Sequence, residues 1–338
     1  MTRKMMKAVR LHEFGGPEVL RYEDAPVPEL KSGEVLVRVH AVGLNPPDWY
    51  LREGYRTLPL EWRPPIPLPA IPGTDVSGVV EAVAADVSKF AVGDEVFSMV
   101  RFPSFGDSSA YAEYVAVPAS ELARKPKGID HVHAAAAPMS GLTAWQFIIE
   151  LGHDHPNPVQ PTRHIPVPLG AGSTVLVNGA AGGVGHLAVQ LAKWKGARVL
   201  AVSVGAHEAF LRDLGADEFI DFTKRRPEEL VRDVDLVIDA VGGPSTGRFL
   251  QTLKPGGALF PIFPLGFSGA EEAAKRGFTV SATQVRSNGP QLEELGRLLD
   301  RGALRVAIDS TFPLADARKA HERAARGHIQ GKLVLTVA

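Results

Sequence analysis

A glycine-rich turn between a strand and a helix is the segment best suited to bind a ligand. A strand at 174–177 runs into residues 178–185, NGAAGGVG, and then directly into a helix. The spacing Ala180-x-Gly182-x-x-Gly185 is the dinucleotide-binding fingerprint with alanine in the first place. Gly182 lets the backbone approach a pyrophosphate, and the helix N-terminus favours its negative charge. The residues predicted to bind a dinucleotide are Ala180, Ala181, Gly182, Gly183, Val184 and Gly185. A purely structural tight turn is the alternative.

The residue after the next strand indicates which dinucleotide binds. NAD-preferring sites have Asp or Glu there, which bonds the ribose 2′-hydroxyl and repels a 2′-phosphate. In this sequence the strand at 198–202 is followed by Ser203, which can donate a hydrogen bond to a phosphate. We therefore predict NADPH as the cofactor. The basic residues that could stand near the phosphate are His207, Lys224, Arg225 and Arg226, and a solvated charged run is the alternative for each.

Cysteine is missing from all 338 residues. Without thiols, the chain cannot form disulfides, iron–sulfur clusters, thiolate zinc sites or a cysteine nucleophile. His153, Asp154, His155 and His164 lie in a proline-rich stretch, residues 152–172, but they lack a regular ligand spacing. We expect this stretch to be a solvated loop and predict no metal site.

Charge and hydropathy exclude two further classes of function. Lys and Arg total 37 against 38 for Asp and Glu, so the chain lacks the basic excess of a nucleic-acid binder. No apolar run approaches the roughly 18 residues that span a bilayer. The basic N-terminal segment is not followed by the apolar region of a secretory signal. We therefore expect a cytoplasmic protein without nucleic-acid or membrane partners.

The first region of the chain is predicted to be mainly β. Residues 1–129 are rich in Val, Gly and Pro and contain short alternating runs at 34–39 and 78–83. Period-two alternation is typical of half-buried antiparallel strands. A turn-like Val92-Gly93-Asp94 precedes another strand at 95–99. These runs indicate a small barrel or a curled sheet.

From about residue 130, strands and helices alternate, which is typical of a doubly wound domain. We predict strands at 174–177, 198–202, 219–220, 234–238 and 258–262, with intervening helices, the last of which ends at 254–257. The terminal strand, 332–337, is expected to return to the first sheet. The predicted fold is therefore α/β: a Rossmann domain, 130–282, inserted into a barrel-like catalytic domain of residues 1–129 and 283–338.

Six stretches form one further pattern that extends over nearly the whole chain. They are 43–48 (GLNPPD), 72–80 (PGTDVSGVV), 111–114 (YAEY), 140–145 (SGLTAW), 178–185 (NGAAGGVG) and 331–335 (GKLVL). In these motifs the chain resembles the zinc-independent NADPH:quinone oxidoreductases of the medium-chain dehydrogenase/reductase superfamily. The resemblance implies a GroES-like catalytic domain beside the Rossmann domain and a homodimer formed by edge-to-edge pairing of the cofactor-domain sheets.

The same alignment of motifs bears on the catalytic zinc of related alcohol dehydrogenases. Asn45 stands where the first cysteine ligand would fall, and Thr74 and Asp75 replace a His-Glu pair. Met139 occupies the region of the second cysteine. Amide, hydroxyl and thioether groups make a poor zinc shell, so alcohol dehydrogenation is not expected.

The resemblance also implies the residues around the nicotinamide. Asn45 and Tyr50 would lie beside the ring as the catalytic pair, and Thr143 would contact the diphosphate or a ribose. Further contacts would come from the backbone of Val241 and Gly242, from residues 260–265 and from Lys332. The structural alternatives are a helix cap for Asn45 and Thr143, a pocket wall for Tyr50 and a surface lysine for Lys332.

Without a metal, the chemistry must suit direct hydride transfer to an electron-poor acceptor. Quinones and α,β-unsaturated carbonyls qualify, because hydride addition gives a delocalised anion. The alternatives are a nicotinamide-binding protein without turnover, with a structural or redox-sensing role, and an enoyl-thioester reductase. The loop at 55–71, with Trp62, and the side chains of Phe102 and Phe105 are expected to shape the acceptor pocket or to cover a core.

Overall fold

The computed structural model describes residues 4–104, 109–150 and 163–337. The predicted pocket residue Phe105 and the loop residues His153, Asp154 and His155 lie outside these ranges. The fourth loop candidate, His164, is buried, with its ring 2.6 Å from the Ser281 hydroxyl and 3.1 Å from the carbonyl oxygen of Phe147, so the prediction of a solvated residue is wrong there. No helix within them is both long and apolar enough to cross a membrane.

The described chain folds into three sheets with helices on their faces. The strands are β1 (Met5–Arg10), β2 (Arg21–Pro26), β3 (Glu34–Gly43), β4 (Asp75–Val83), β5 (Glu95–Met99), β6 (Tyr114–Pro118), β7 (Leu122–Arg124), β8 (Thr174–Asn178), β9 (Arg198–Ser203), β10 (Glu218–Asp221), β11 (Val234–Asp239), β12 (Leu253–Pro261), β13 (Thr279–Val280), β14 (Ile308–Pro313) and β15 (Lys332–Thr336). The α-helices are α1 (Pro46–Arg52), α2 (His131–Ala136), α3 (Pro138–Ile148), α4 (Gly183–Trp194), α5 (Glu208–Asp213), α6 (Pro227–Leu230), α7 (Ala270–Lys275), α8 (Gly289–Asp300) and α9 (Ala317–Ala325).

The parallel sheet has the strand order β10-β9-β8-β11-β12-β13. Val175, Leu176 and Val177 in its central strand are completely buried, as expected when helices cover both faces. The order reverses between β8 and β11, and a crevice forms outside the carboxyl ends of strands at such a point. The glycine-rich turn follows β8 and therefore lies at this crevice.

The largest sheet is mainly antiparallel, with the order β14-β15-β3-β4-β5-β7 and with β6 paired to β3. Val35, Val37 and Val39 on β3 are buried in alternation with more exposed neighbours, because one face packs on the core. The terminal strand β15 pairs with β3, matching Val334 to Gly43. This return of the chain and the predicted α/β fold class are confirmed.

The helix predicted to end at 254–257 is wrong. The segment before β12 is a 3₁₀-helix, Pro244–Thr252, and residues 254–257 belong to the strand. The pairing between β11 and β12 shifts register between Val234 and Leu236, which leaves the prolyl and glycyl residues in a bulge. Gly256 has a φ of +76°, which a glycine in such an irregular strand adopts without strain.

The two helices that follow the predicted boundary at 129/130 have different main packing partners. α2 contacts β3 and β4 of the antiparallel sheet, whereas α3 packs against α4 and α8. Leu292 and Leu295 of α8 share a buried core with Leu187 and Leu191 of α4. The division at 129/130 and 282/283 stays a prediction.

The terminal strand gives a prediction about stability. Leu335 is completely buried in the core of the antiparallel sheet, so Leu335→Ala should lower the free energy of unfolding by about 2–5 kcal/mol. Val92 is 67% exposed, and Val92→Ala should change it by about 0.5 kcal/mol at most. Urea unfolding followed by circular dichroism measures both variants. Equal effects of the two substitutions would contradict the burial of the terminal strand β15 in this core.

Candidate active site

A cavity of about 450 Å³ lies between the glycine-rich turn, α1 and the start of β15. Its wall is mostly apolar, with a few polar groups, which is typical of a small-molecule site. The structure brings most of the predicted site residues together in this wall. They are Asn45, Tyr50, Thr143, Gly182, Gly183, Val184, Gly185, Val241 and Lys332.

The start of α4 offers unpaired hydrogen-bond donors to this cavity. Among the residues that the structure describes, none accepts a hydrogen bond from the backbone N–H groups of Gly183, Val184 or Gly185. The first N–H groups of a helix have no intrahelical acceptor, and the helix dipole adds partial positive charge there. This end of the cavity can therefore bind an anion such as a diphosphate.

Two glycines of the turn have different geometric reasons to be glycine. A Cβ on Gly185 would overlap the carbonyl oxygen of Gly179, so the helix could not pack as closely on the turn. A Cβ on Gly182 would meet only that oxygen, at 3.4 Å, with open space elsewhere. Gly182 therefore leaves room for a group that approaches the backbone, and the turn fits a dinucleotide.

Some predicted cofactor residues lie behind the cavity wall. Ala180 and Ala181 are buried within the turn, and the carbonyl oxygen of Ala181 accepts a 2.7 Å hydrogen bond from the N–H of Gly331. Gly242 and Ser203 also lie outside the lining. The turn is therefore joined directly to the segment that leads into β15.

Asp239, at the end of β11, is a residue that the sequence reasoning missed. Its Oδ1 atom accepts hydrogen bonds from Asn178 Nδ2 at 2.7 Å and from the N–H groups of Val241 and Gly242 at 3.1 and 3.0 Å. Its Oδ2 atom accepts a bond from the Thr246 hydroxyl at 2.6 Å. This buried carboxyl group shapes the loop opposite the turn. The sequence signal that could have identified Asp239 is an acidic residue at the end of an apolar strand.

Ser203 lies at the end of β9, where the sequence analysis expected it, with its hydroxyl 3.0 Å from His207 Nδ1. Asp221 pairs with it in register on the neighbouring strand β10. The side chain of Thr223 donates a hydrogen bond to Asp221, which lowers the pKa of this carboxyl group. Lys224 forms an ion pair with it at 3.3 Å. An ionised acid thus stands beside Ser203, already engaged by two partners.

The remaining basic candidates differ in their partners. Arg226 forms ion pairs with Glu228 and Glu229, both at 2.9 Å. The side chain of Arg225 is exposed and forms no ion pair within the described part of the chain. Arg225 is therefore more available to a phosphate than Arg226.

The polar end of the cavity is built around a contact between α1 and β15. The ammonium group of Lys332 donates hydrogen bonds to Asn45 Oδ1 and, at 2.6 Å, to the carbonyl oxygen of Leu44. The side-chain amide of Asn45 donates to Thr74 Oγ1 and to the carbonyl oxygen of Gly43, both at 3.3 Å. Asn45 and Lys332 are both buried. The charge of Lys332 is thereby held at the cavity wall.

The residues at the positions of zinc ligands do not fit a zinc ion. Both carboxylate oxygens of Asp75 accept hydrogen bonds from the N–H of Met139 at 3.0 Å. Thr74 and Asn45 bond each other, and Asn45 also binds the Lys332 ammonium group, whose charge repels a metal cation. Over residues 4–104, 109–150 and 163–337, no group of three or more His, Cys, Asp or Glu could hold a metal ion.

Tyr50 and Thr143 face the cavity from two helices. The ring centroid of Tyr50 lies 6.1 Å from that of Phe263, and burial raises the pKa of its phenol, which therefore remains a hydrogen-bond donor at neutral pH. Thr143 lies in the middle of α3, where its hydroxyl donates to the carbonyl oxygen of Met139 at 2.7 Å. A helix cap is excluded for Thr143.

The predicted acceptor pocket is formed only in part by the expected residues. Tyr55, Thr57 and Leu58 of the 55–71 loop line the cavity together with Phe102, whereas Trp62 lies outside the lining. Of the 260–265 segment, Phe260 is fully buried in the core, and residues 262–265 form the wall. The sequence reasoning missed Ala282, Thr283, Gln284 and Val285, which also line the cavity.

Comparisons with known families agree with this arrangement. Residues 31–127 match the alcohol dehydrogenase GroES-like domain, and residues 214–335 match the zinc-binding dehydrogenase family. These two matches cover most of the antiparallel sheet and the second half of the parallel sheet.

Individual relatives match over nearly the full length. The chain is 32% identical to a quinone oxidoreductase of Pongo abelii over 98% of each chain. It is 33% identical to a chloroplastic NADPH-dependent alkenal/one oxidoreductase of Arabidopsis thaliana, over 98% of this chain and 80% of the relative. The solved structure of a quinone oxidoreductase from Coxiella burnetii superposes with a TM-score of 0.86 and 34% identity, covering 99% of this chain and 100% of that one. The chain therefore belongs to the medium-chain dehydrogenase/reductase superfamily, in its quinone oxidoreductase branch.

Proposed function

We propose that this chain is an NADPH-dependent, zinc-independent reductase of quinones and α,β-unsaturated carbonyls. The observation that carries this proposal is that one continuous cavity joins unpaired N–H groups at the start of α4 to the polar groups Asn45, Tyr50 and Lys332. The first end suits a diphosphate, and the second suits a nicotinamide and a carbonyl acceptor. The names of the relatives support the same reaction class.

The proposed cofactor contacts run along the cavity and include neighbouring residues that lie outside its lining. The turn residues Ala180 to Gly185 would hold the diphosphate, and Ser203 would face the ribose 2′-phosphate. Thr143 and the loop of Val241 and Gly242 would hold the middle of the cofactor. Asn45 and Lys332 would lie at the nicotinamide.

A bound reduced nicotinamide supplies a hydride from its C4 atom. The phenol of Tyr50 is a donor that can stabilise the oxygen on which negative charge develops. The apolar side chains of Phe102, Ile262 and Val285 limit water in the cavity. Because the residues at the metal positions do not fit zinc, the acceptor must itself delocalise the charge, as quinones and enones do.

The proposed preference for NADPH depends on charge at the end of β9. Ser203 adds no negative charge there, and the neighbouring Asp221 is already engaged by Thr223 and Lys224. The exposed Arg225 follows directly in the sequence and can approach a 2′-phosphate.

We further propose a cytoplasmic homodimer. The strand β13 forms one edge of the parallel sheet and pairs with β12 on its inner side. Its outer side can pair with the same strand of a second copy.

The reductase proposal predicts that the pure protein oxidises NADPH when 1,4-benzoquinone or a simple enone is added. The loss of nicotinamide absorbance measures this rate, and 1,10-phenanthroline should leave it unchanged. NADPH binding without oxidation of either acceptor would favour the protein without turnover. Oxidation with an enoyl-thioester alone would favour the thioester reductase. A rate that the chelator abolishes and zinc restores would contradict zinc independence.

Substitutions of the two glycines of the turn should affect different properties, NADPH binding in one case and the free energy of unfolding in the other. Gly182→Ala places a methyl group in the open space, so we expect unchanged thermal unfolding and about tenfold weaker NADPH binding. Gly185→Ala creates an overlap with Gly179 and should lower the free energy of unfolding by about 1–3 kcal/mol. Calorimetric unfolding and fluorescence titration with NADPH measure the two effects. NADPH binding that survives Gly182→Ala unchanged would contradict a diphosphate at the turn.

Ser203→Asp tests the choice between NADPH and NADH. A carboxylate at this position repels the 2′-phosphate, so NADPH binding should weaken about tenfold or more while NADH binding improves. Ser203→Ala is the matched control, because it removes the hydroxyl without adding charge. The dissociation constants of both nucleotides decide the question. Unchanged NADPH affinity in Ser203→Asp would place the 2′-phosphate elsewhere.

A further inference from the structure

Three buried ionisable side chains lie together behind the polar end of the cavity. Asp48 on α1, Asp75 on β4 and Lys332 on β15 are all less than 5% exposed. The carboxyl groups of Asp48 and Asp75 repel each other electrostatically, and both attract the ammonium group of Lys332. One ammonium group thus faces two carboxyl groups in a region of low dielectric constant. We call these three residues the charge cluster.

Asp48 has partners on only one of its two oxygens. Oδ2 accepts hydrogen bonds from the N–H of Asn45 at 2.9 Å and from the hydroxyl of Tyr111 at 3.1 Å. Oδ1 is buried and has no hydrogen-bond partner among the described residues. A buried polar atom without a partner is costly and calls for a physical account.

A chain of hydrogen bonds sets the direction in which Tyr111 donates. Arg52 Nη1 lies 2.9 Å from His321 Nδ1, and His321 Nε2 lies 3.0 Å from the Tyr111 hydroxyl. A guanidinium group only donates, so His321 Nδ1 accepts and Nε2 carries the hydrogen. Burial also lowers the pKa of His321 to about 3, which keeps the ring neutral. Tyr111 therefore accepts from His321 and donates to Asp48.

These hydrogen-bond directions leave Oδ1 as the atom of Asp48 that can carry a proton. Oδ2 already accepts two donors, so a protonated Asp48 carries its hydrogen on Oδ1. The protonated form lacks an acceptor for this hydrogen, and the ionised form lacks a donor to Oδ1. In neither protonation state does Oδ1 have a hydrogen-bond partner. The protonated and ionised forms of Asp48 therefore lie closer in energy than those of an exposed carboxyl group, whose ionised form is stabilised by water.

The surroundings of Asp48 agree with a carboxyl group that titrates near neutral pH. Burial raises its pKa to about 7, and the charge of Asp75 acts in the same direction. Lys332 and Tyr111 oppose this shift. Asp75 itself has a pKa raised by burial to about 6. The other ionisable neighbours are Tyr55, whose phenol stays protonated, and Arg52, which reaches Asp48 only through His321 and Tyr111.

We propose that the charge cluster couples the oxidation state of the bound nicotinamide to the release of one proton from Asp48 Oδ1. This inference rests on the proposed function, which sets the nicotinamide beside Asn45 and Lys332. The oxidised ring is positively charged and the reduced ring is neutral. With Asp48 ionised, the cluster carries two negative charges against one positive charge and attracts the oxidised ring. Binding of NADP⁺ to the protonated protein therefore gives the complex and one free H⁺.

The test compares the binding of NADP⁺ and NADPH to the whole protein between pH 6 and pH 8. The ratio of their dissociation constants cancels the titration of the 2′-phosphate, which both nucleotides share. In the native protein the dissociation constant of NADP⁺ divided by that of NADPH should fall about fivefold as the pH rises, because ionised Asp48 attracts the positively charged oxidised ring. Calorimetry in two buffers with different ionisation enthalpies should show more proton release with NADP⁺ than with NADPH.

Asp48→Asn is the decisive variant, because an amide oxygen can still accept from Asn45 and Tyr111 without titrating. Its ratio of dissociation constants should fall much less than the native ratio as the pH rises, because of the two carboxyl groups only Asp75, with a pKa raised to about 6, still titrates. Tyr111→Phe removes a donor that stabilises the ionised form, so the transition should move to higher pH. Asp86→Asn is the control, since Asp86 is exposed and accepts hydrogen bonds from the Ser32 hydroxyl and the N–H of Gly33, neither of which belongs to the charge cluster. This control should behave as the native protein does.

The outcomes separate this inference from the proposed function. A folded Asp48→Asn protein that keeps the native pH dependence would overturn the coupling. If Asp48→Asn does not fold, Tyr111→Phe decides, and an unmoved transition would overturn the coupling. Binding of both nucleotides with a pH-independent ratio would contradict only this inference. Binding of neither nucleotide would overturn the proposed function and this inference with it.

Discussion

The buried hydrogen bond from Lys332 to Asn45 is the contact on which the site depends. It joins the first residue of the terminal strand to the first turn of α1, and so connects distant parts of the chain at the cavity wall. The preceding residue, Gly331, donates to Ala181 within the glycine-rich turn. One short segment therefore contacts both ends of the cavity and helps to set their separation. A cofactor and an acceptor can align only if that separation is maintained.

The same contact also engages the residues that stand at the positions of zinc ligands. The polar groups at the positions of zinc ligands bond one another, and Lys332 supplies a positive charge among them. An ammonium group polarises less strongly than a metal ion, so it suits acceptors that already stabilise negative charge. Two neighbouring carboxyl groups reduce its net effect. The balance of these buried charges, rather than any single residue, sets the electrostatics at the polar end of the cavity.

Much of the fold could be predicted from the sequence because its signals are local. The continuous apolar strand of β8 and the glycine spacing after it lie together within residues 174–185. Alternation on β3 likewise showed which side chains face the core. The error at 254–257 arose because a bulge looks like a helix end when only its prolyl and glycyl residues are considered. The pairing of β11 with β12, which no local pattern contains, decided that segment.

By itself, the sequence determined most of the element types, the glycine-rich turn and the lack of thiol ligands, because each depends mainly on residues close together in the chain. Only the tertiary structure decided the partners of buried polar groups. Asp48 meets Tyr111 from 63 positions away, and Tyr111 meets His321 from 210 positions away. Lys332 reaches Asn45 across 287 positions. The charge state of a buried group depends on such neighbours and on the exclusion of water, and both arise only when the sheets and helices pack together.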